Sequence, residues 1–340
     1  MAAYTTIDDP EAYFQVKIYT GTGTSTAFTL DGDTDMQPDV VWCKERGTVD
    51  DSSANDTHAI FDSVRGVQKR LIPNDTSAEG TQSNGITAFG SDGFTSGDAN
   101  ITNGAASRTY VAWCWKESAT SGFDMVLYTG NETNRTISHS LSAVPHFIVI
   151  KTRDSINDWF VYHNGAASDA ETDYFKLNTT DATNDHETIW NDTAPTSSVF
   201  SVGTATGSNK DGGTMVAYLF AEKQGFSKFG SYTGNGNNDG AFVFLGFRPA
   251  YVMVKRSNTT GNWVIWDNTR QTINLLHKRL YANLSDTEYA GDALGVDFLS
   301  NGFKIRTSTA EWNGDGDTML YMAFAEAPFV NSEGVPCNAR

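Results

Sequence analysis

Two acidic runs carry the spacing of a cation-binding loop. Asp31, Asp33 and Asp35 alternate with Gly32 and Thr34, and Asp315 and Asp317 follow Asn313 with glycines between them. Alternating side-chain oxygens begin the calcium loops of EF-hands, which close with a bidentate glutamate at position twelve. Counted from Asp31 that position is Trp42, and counted from Asn313 it is Phe324. Neither run is an EF-hand. Each reads as an acidic turn, and these five aspartates are the calcium candidates, for adventitious binding only. No metal site and no cofactor are expected.

The six histidines form no HExxH or other metal spacing, and no Cys/His zinc pairs occur. GxSxG and GxxxxGK[ST] are absent. Carboxylates are plentiful, so some pair will reach glycosidase separation by accident; none recurs at matching places in the repeats described below. The chain is therefore read as a non-enzyme. Trp190 and Trp312 lie in Asn- and Asp-rich loop sequence. Aromatic rings among amides and carboxylates stack on sugars, which makes these two the carbohydrate-binding candidates. The plainer alternative is a loop tryptophan folded back on its own unit. Trp159, Trp263 and Trp266 sit in strand-like runs and read as core.

The elements that must position these residues come in triplicate. The runs 109–117 (TYVAWCWKE), 214–222 (TMVAYLFAE) and 318–326 (TMLYMAFAE) are copies of one segment. Each is a short apolar run rich in Val, Leu, Tyr, Phe and Trp. Length and type argue for a strand covered on both faces, because a half-exposed strand would alternate apolar with polar. Three further landmarks recur in step. Tyr-Thr-Gly opens each unit at 19–21, 128–130 and 232–234. A proline-to-lysine run follows at 38–44 (PDVVWCK), 145–151 (PHFIVIK) and 249–255 (PAYVMVK). A tryptophan segment comes next at 158–164 (DWFVYHN) and 262–268 (NWVIWDN), degraded in unit one to 58–63 (HAIFDS). Internal repeats decide architecture before other signals do.

The reading is all-β: three tandem β-sandwich repeats, jelly-roll or lectin-like, of about 100 residues each, a common domain size. The bounds are an N-terminal arm at 1–16, repeats at 17–118, 119–226 and 227–329, and a C-terminal tail at 330–340. Unit one carries a six-residue insertion within 46–55. Short joints at 118–122 and 223–228 should hold the units in fixed contact. Because the repeated strands lack a polar face, a long loop, the next unit or another copy of the chain must cover them.

The 340-residue chain has 24 Lys and Arg against 41 Asp and Glu, a net charge of −17. Phosphate backbones and anionic headgroups would repel it, which argues against nucleic acid and bare membrane as partners. No run reaches the ~18 apolar residues of a membrane span, and residues 1–10 lack the basic start and apolar core of a signal peptide. Cys43 and Cys114 align with apolar core positions and read as small buried hydrophobes; a disulfide between them would need adjoining strands. Tyr4, Tyr13 and Phe14 make the arm too apolar for a free tail, so it packs on the first unit or docks on another subunit.

The pattern Tyr-Thr-Gly, then Pro with an apolar run and Lys, then Trp, Gly-Phe and Tyr-Val-Ala-Trp-Cys-Trp-Lys-Glu, resembles a family of repeat-bearing virion proteins of tailed phages, particularly marine ones. The resemblance covers 17–329, and its motifs are structural rather than catalytic. It implies a structural component on the exterior of the virion, made in the host cytoplasm. A tail fibre or tail-associated appendage contacting the host surface is the leading expectation. A capsid decoration or vertex protein is the alternative, and a lectin-like module for host surface polysaccharide is another. Partners would be other tail or capsid proteins, a host surface glycan, and the chain itself as a homotrimer. Unit one departs most from the pattern.

Overall fold

Each Thr-to-Glu run is an inner strand of a sheet, as its lack of a polar face requires. The computed structural model describes residues 3–47, 57–105, 107–166, 169–289, 291 and 295–336. The chain is predominantly β, 42% strand and 6% helix, in several antiparallel sheets. Most of the insertion expected within 46–55 lies outside the described residues.

Four strands are common to the main sheets of the three copies, which have four, six and five strands in all. In copy one they are β1 (Phe14–Thr20), β2 (Val40–Glu45), β3 (Ala59–Asp62) and β4 (Thr109–Trp115). In copy two they are β5 (Phe123–Thr129), β6 (Phe147–Thr152), β7 (Trp159–His163) and β8 (Thr214–Phe220). In copy three they are β9 (Ser227–Thr233), β10 (Phe247–Arg256), β11 (Trp263–Asp267) and β12 (Thr318–Pro328). The strand order is the same each time: β1-β4-β2-β3, β5-β8-β6-β7 and β9-β12-β10-β11. So is the register. Thr20 faces Thr109, Thr129 faces Thr214 and Thr233 faces Thr318. Across the other edge of the inner strand, Val40 faces Trp115, Phe147 faces Phe220 and Tyr251 faces Phe324. A smaller sheet accompanies each main one, built on the pairs Thr26–Phe28 with Gly93–Ser96, Arg135–Ser138 with Val199–Val202, and Phe242–Phe244 with Gly302–Ile305.

The inner strands serve two cores. Val111, Trp113 and Trp115 of β4 join Val216, Tyr218 and Phe220 of β8 and all of 319–325 in one cluster spanning the three copies. Ala112 and Cys114 turn into a cluster confined to copy one, and Met215, Ala217 and Leu219 into one confined to copy two. Alternate residues point to opposite faces, so the covering layer over each main sheet is the other two copies of the same chain. Each large apolar side chain so buried contributes roughly 1.5–3 kcal/mol. Cys43 and Cys114 are buried free thiols. Their strands do adjoin, but Cys43 faces Ala112 and Cys114 faces Val41, and burial pushes the Cys43 thiol up to about 12.

The arm corrects an expectation. Tyr4 and Phe14 engage copy three of their own chain, and Tyr13 the joint that leads into it. Tyr4 donates its hydroxyl to the Gly246 carbonyl at 2.9 Å. Tyr13 meets Phe226 edge-on at 6.1 Å, and Phe14, the first residue of β1, stacks on Phe324 at 5.1 Å. The arm does not rest on the first unit alone, because the shared core draws the start of the chain to the last copy. No helix among the described residues is long and apolar enough to cross a membrane.

Candidate functional site at the junctions of the copies

One aromatic residue from each inner strand meets the other two where the three copies come together. Trp115, Phe220 and Phe324 hold equivalent registers, and their rings lie 6.3, 5.8 and 5.8 Å apart. Edge-on contacts at such distances suit the aromatic quadrupole. A small all-apolar cavity beside them, about 40 Å³, is lined by residues of all three copies, among them Trp42, Phe147 and Met322.

The lysine that ends each proline-to-lysine run is buried and reaches into a neighbour. Lys44 Nζ donates to the Ser285 carbonyl of copy three at 3.2 Å. Lys151 Nζ donates to Thr76 of copy one at 3.0 Å, and Lys255 Nζ to Thr180 of copy two at 3.0 Å. The contacts therefore run from one to three, two to one and three to two. That closed cycle is the pattern of an approximately threefold arrangement within one chain. Burial pulls Lys151 and Lys255 down to about 8, against the pull of nearby carboxylates.

The tryptophan position repeats the cycle. Trp159 Nε1 donates to the Ile72 carbonyl and Trp263 Nε1 to the Lys176 carbonyl, at 2.9 and 3.0 Å. In copy one His58 takes the place, its Nε2 lying 2.9 Å from the Tyr281 carbonyl. The backbone N–H of each of the three is capped by an asparagine side chain: Asn74, Asn178 and Asn283.

Ionic groups distinguish the junctions. Between copies one and two, Arg65 is fully buried against Asp62 at 2.5 Å and Glu79 at 3.2 Å; Tyr218 donates to Asp62 and Arg153 to Glu79 from copy two. Between copies three and one, Arg270 is held by Asp267 and Glu288, with Trp113 and Arg46 donating from copy one. Burial alone would raise Glu79 and Glu288, but Arg153 and Arg65, and Arg46 and Arg270, hold them below the ordinary carboxylate value. Among the described residues, the junction of copies two and three has none of these. The matching residues are His163, Ala166, Thr183 and Ser257. There His163 Nε2 bonds the Tyr321 carbonyl at 3.0 Å, and Thr183 N–H donates to the Ser257 carbonyl at 2.8 Å.

A third recurring group escaped the sequence reading. A single helical turn precedes each inner strand: α1 (Asn100–Asn103), α2 (Thr206–Asn209) and α3 (Ala310–Asn313). Its last asparagine is buried. The Oδ1 atoms of Asn103, Asn209 and Asn313 accept from the N–H groups of Thr22, Asn131 and Asn235, which follow the Tyr-Thr-Gly motif. The tyrosines of that motif donate to the same turns, at Thr102, Ser208 and Trp312. The signal was available: an asparagine stands five or six residues before the threonine of every inner strand.

The sequence candidates fare differently. Trp190 and Trp312 are 2% and 0% exposed and offer no face to a sugar. Trp190 donates Nε1 to the Asp173 carbonyl at 3.0 Å, and Trp312 lies edge-on to Trp266 at 5.2 Å. Each sits in a helical turn that folds its ring inward, so the alternative of a ring folded back on its own unit holds. Asp31 pairs with Lys17 at 2.5 Å, while Asp33 and Asp35 are exposed. Asp315 is exposed, and Asp317 is committed to Arg256 and Asn258. Among the described residues no group of three or more His, Cys, Asp or Glu could hold a metal ion.

The fold thus defines a β-protein of one strand pattern used three times and closed on itself. The chain belongs to the DUF7483 family, a domain of unknown function whose model matches residues 9–328. That span takes in all three copies. A search of curated proteins finds no match.

Proposed function

We propose that the chain is a non-enzymatic structural component of a tailed-phage virion, a tail fibre or tail-associated appendage on the outside of the particle. Each copy is read as a small β-sandwich of the jelly-roll or lectin-like type, its main sheet set against the smaller second sheet. The observation that carries this reading is the use made of the polar interior. The buried lysines, the Arg65 and Arg270 networks through Tyr218, Arg153, Trp113 and Arg46, and the His58, Trp159 and Trp263 contacts all join one copy to another. An enzyme would hold such groups around a substrate; a rigid particle component needs them as fasteners. The repeated motifs and their likeness to phage virion proteins supply the setting, with other virion proteins as partners.

A threefold position on the capsid would also suit an approximately threefold chain, and the same experiment separates the two. Antibody-bound gold on intact particles should label the tail. Label spread over the head would overturn the tail assignment and favour a decoration protein. Release of reducing ends from host envelope material by the purified chain would overturn the non-enzymatic reading.

A further inference from the structure

At one place copy three departs from the other two in a way the fold does not require. Phe28, Ile137 and Val243 hold the same position in the first strand of the smaller sheets, facing Phe94, Phe200 and Phe303. All three are buried. The residues on either side of them face solvent. They are Ala27 and Thr29 in copy one, and Thr136 and Ser138 in copy two. In copy three they are Phe242 and Phe244, 47% and 51% exposed. The other copies prove that small or polar residues suffice for the fold, so two half-exposed rings here serve something else.

A second departure lies beside the first. Gln15, Asp124 and Lys228 occupy one register, facing Cys114, Leu219 and Ala323. Gln15 accepts from the Gly32 N–H, and Asp124 from the Ser140 N–H and hydroxyl. Lys228 instead sets its ammonium 5.5 Å from the centre of the Phe244 ring, and among the described residues it has no carboxylate partner. The strand Phe242–Phe244 is the edge of its sheet. Gly302, which has no side chain, stands opposite Phe244.

We propose that Phe242, Phe244 and Lys228 form a binding site for an anionic polysaccharide, one whose sugars carry carboxylate or sulfate. Pyranose C–H groups are polarised towards positive and settle on the negative face of an aromatic ring. An unpaired ammonium next to the rings adds charge complementarity for an acid group on the sugar. On a chain of net charge −17, a cation with no carboxylate partner among the described residues, beside two half-exposed rings, favours such a ligand locally. Size argues against a protein partner. Half of two phenylalanine side chains exposes about 200 Å², far below the ~800 Å² per side of a stable protein interface. This site deepens the reading of the chain as an appendage that contacts the host surface, by naming the chemistry contacted.

The test is calorimetric titration of the full chain with an oligomannuronate hexamer, which is anionic, and with cellohexaose, which is neutral. Two variants borrow residues from the other copies: Phe242→Thr with Phe244→Ser from copy two, and Lys228→Gln from copy one. The anionic hexamer should bind, more weakly as salt rises. The double variant should weaken it by about tenfold or more with an unchanged melting temperature, and Lys228→Gln should weaken it without affecting the neutral sugar. Failure of the native chain to bind the anionic hexamer, equal binding of the neutral one, or full binding by the double variant would each overturn the proposal. So would a native dimer that the double variant turns to monomer, since the rings would then meet a second copy. Gold labelling reads out independently: tail labelling without glycan binding sinks this site alone, and glycan binding with head labelling sinks the tail assignment alone.

Discussion

His58 and Tyr281 lie in different copies, and the imidazole Nε2 stands 2.9 Å from the tyrosine carbonyl oxygen. The other ring nitrogen accepts from Trp42 Nε1 at 2.9 Å, so the ring is neutral with its proton on Nε2. Burial keeps it so by pushing its pKa well below the ordinary value. A histidine thus does with one N–H what an indole does in the other two copies. His58→Phe keeps a ring but leaves the buried Trp42 indole N–H unpaired, while the Tyr281 carbonyl keeps only its bond from the Leu284 N–H. About 1–3 kcal/mol of stability should be lost for the stranded N–H, as read by guanidinium unfolding.

The buried arginine networks should respond unequally to single and paired changes. Asp62→Asn leaves Arg65 as a poorly compensated buried cation and should cost about 3–5 kcal/mol. Replacing both, Asp62→Leu with Arg65→Met, should cost less than the single change, because no buried charge remains at those two positions. Thermal melts of the two variants decide it. A double variant less stable than Asp62→Asn would show that the pair contributes more than its desolvation takes away.

The junction of copies two and three, which shows no ion pair among the described residues, should lose stability in acid through a histidine. His163 donates from Nε2 to Tyr321 and accepts at Nδ1 from the Gly165 N–H, 3.0 Å each. Burial lowers its pKa to about 4. The unfolded chain therefore binds this proton more readily than the folded one. The stability tied to His163 is fully present above the ordinary histidine value and is lost as pH falls towards 4. Over that window it amounts to roughly 3 kcal/mol. His163→Gln should flatten the dependence of unfolding free energy on pH between those limits; an unchanged slope would show that His163 does not titrate with unfolding.

Trp312→Ala should be as damaging as a core truncation. The sequence placed this residue in a surface loop, where truncation would cost little. With no exposure and contacts to Trp266 and Arg279, its removal should cost about 3–5 kcal/mol. A midpoint in guanidinium close to that of the native chain would contradict its place in the core.

The strands were legible because triplication supplies its own comparison. Val149, Ile150, Val252 and Val254 of the proline-to-lysine runs and Tyr218, Phe220, Met322 and Phe324 of the Thr-to-Glu runs are all buried, as apolar runs without a polar face require. What covers the second face was not legible, since periodicity says that a face is covered and not by what. The arm misled for the same reason: Tyr4, Tyr13 and Phe14 signal a partner, and the partner is copy three with the joint that leads into it. Trp190 and Trp312 misled because a one-turn helix has no periodicity to read, so polar neighbours in sequence concealed a ring pointing inward. Phe242 and Phe244 went unnoticed because alternation in Phe-Val-Phe looks like core until the matching Ala27, Thr29, Thr136 and Ser138 are set beside it.

The central claim is that three copies share one core around Trp115, Phe220 and Phe324. Hydrogen exchange of Phe324→Ala against the native chain tests it most directly. Truncating a side chain that touches Phe14, Trp115 and Phe220 should raise amide exchange in β4 and β8 as well as in β12, because opening one copy uncovers the others. Increased exchange confined to 227–329, with β4 and β8 as protected as before, would contradict a shared core and leave three independent units on a string.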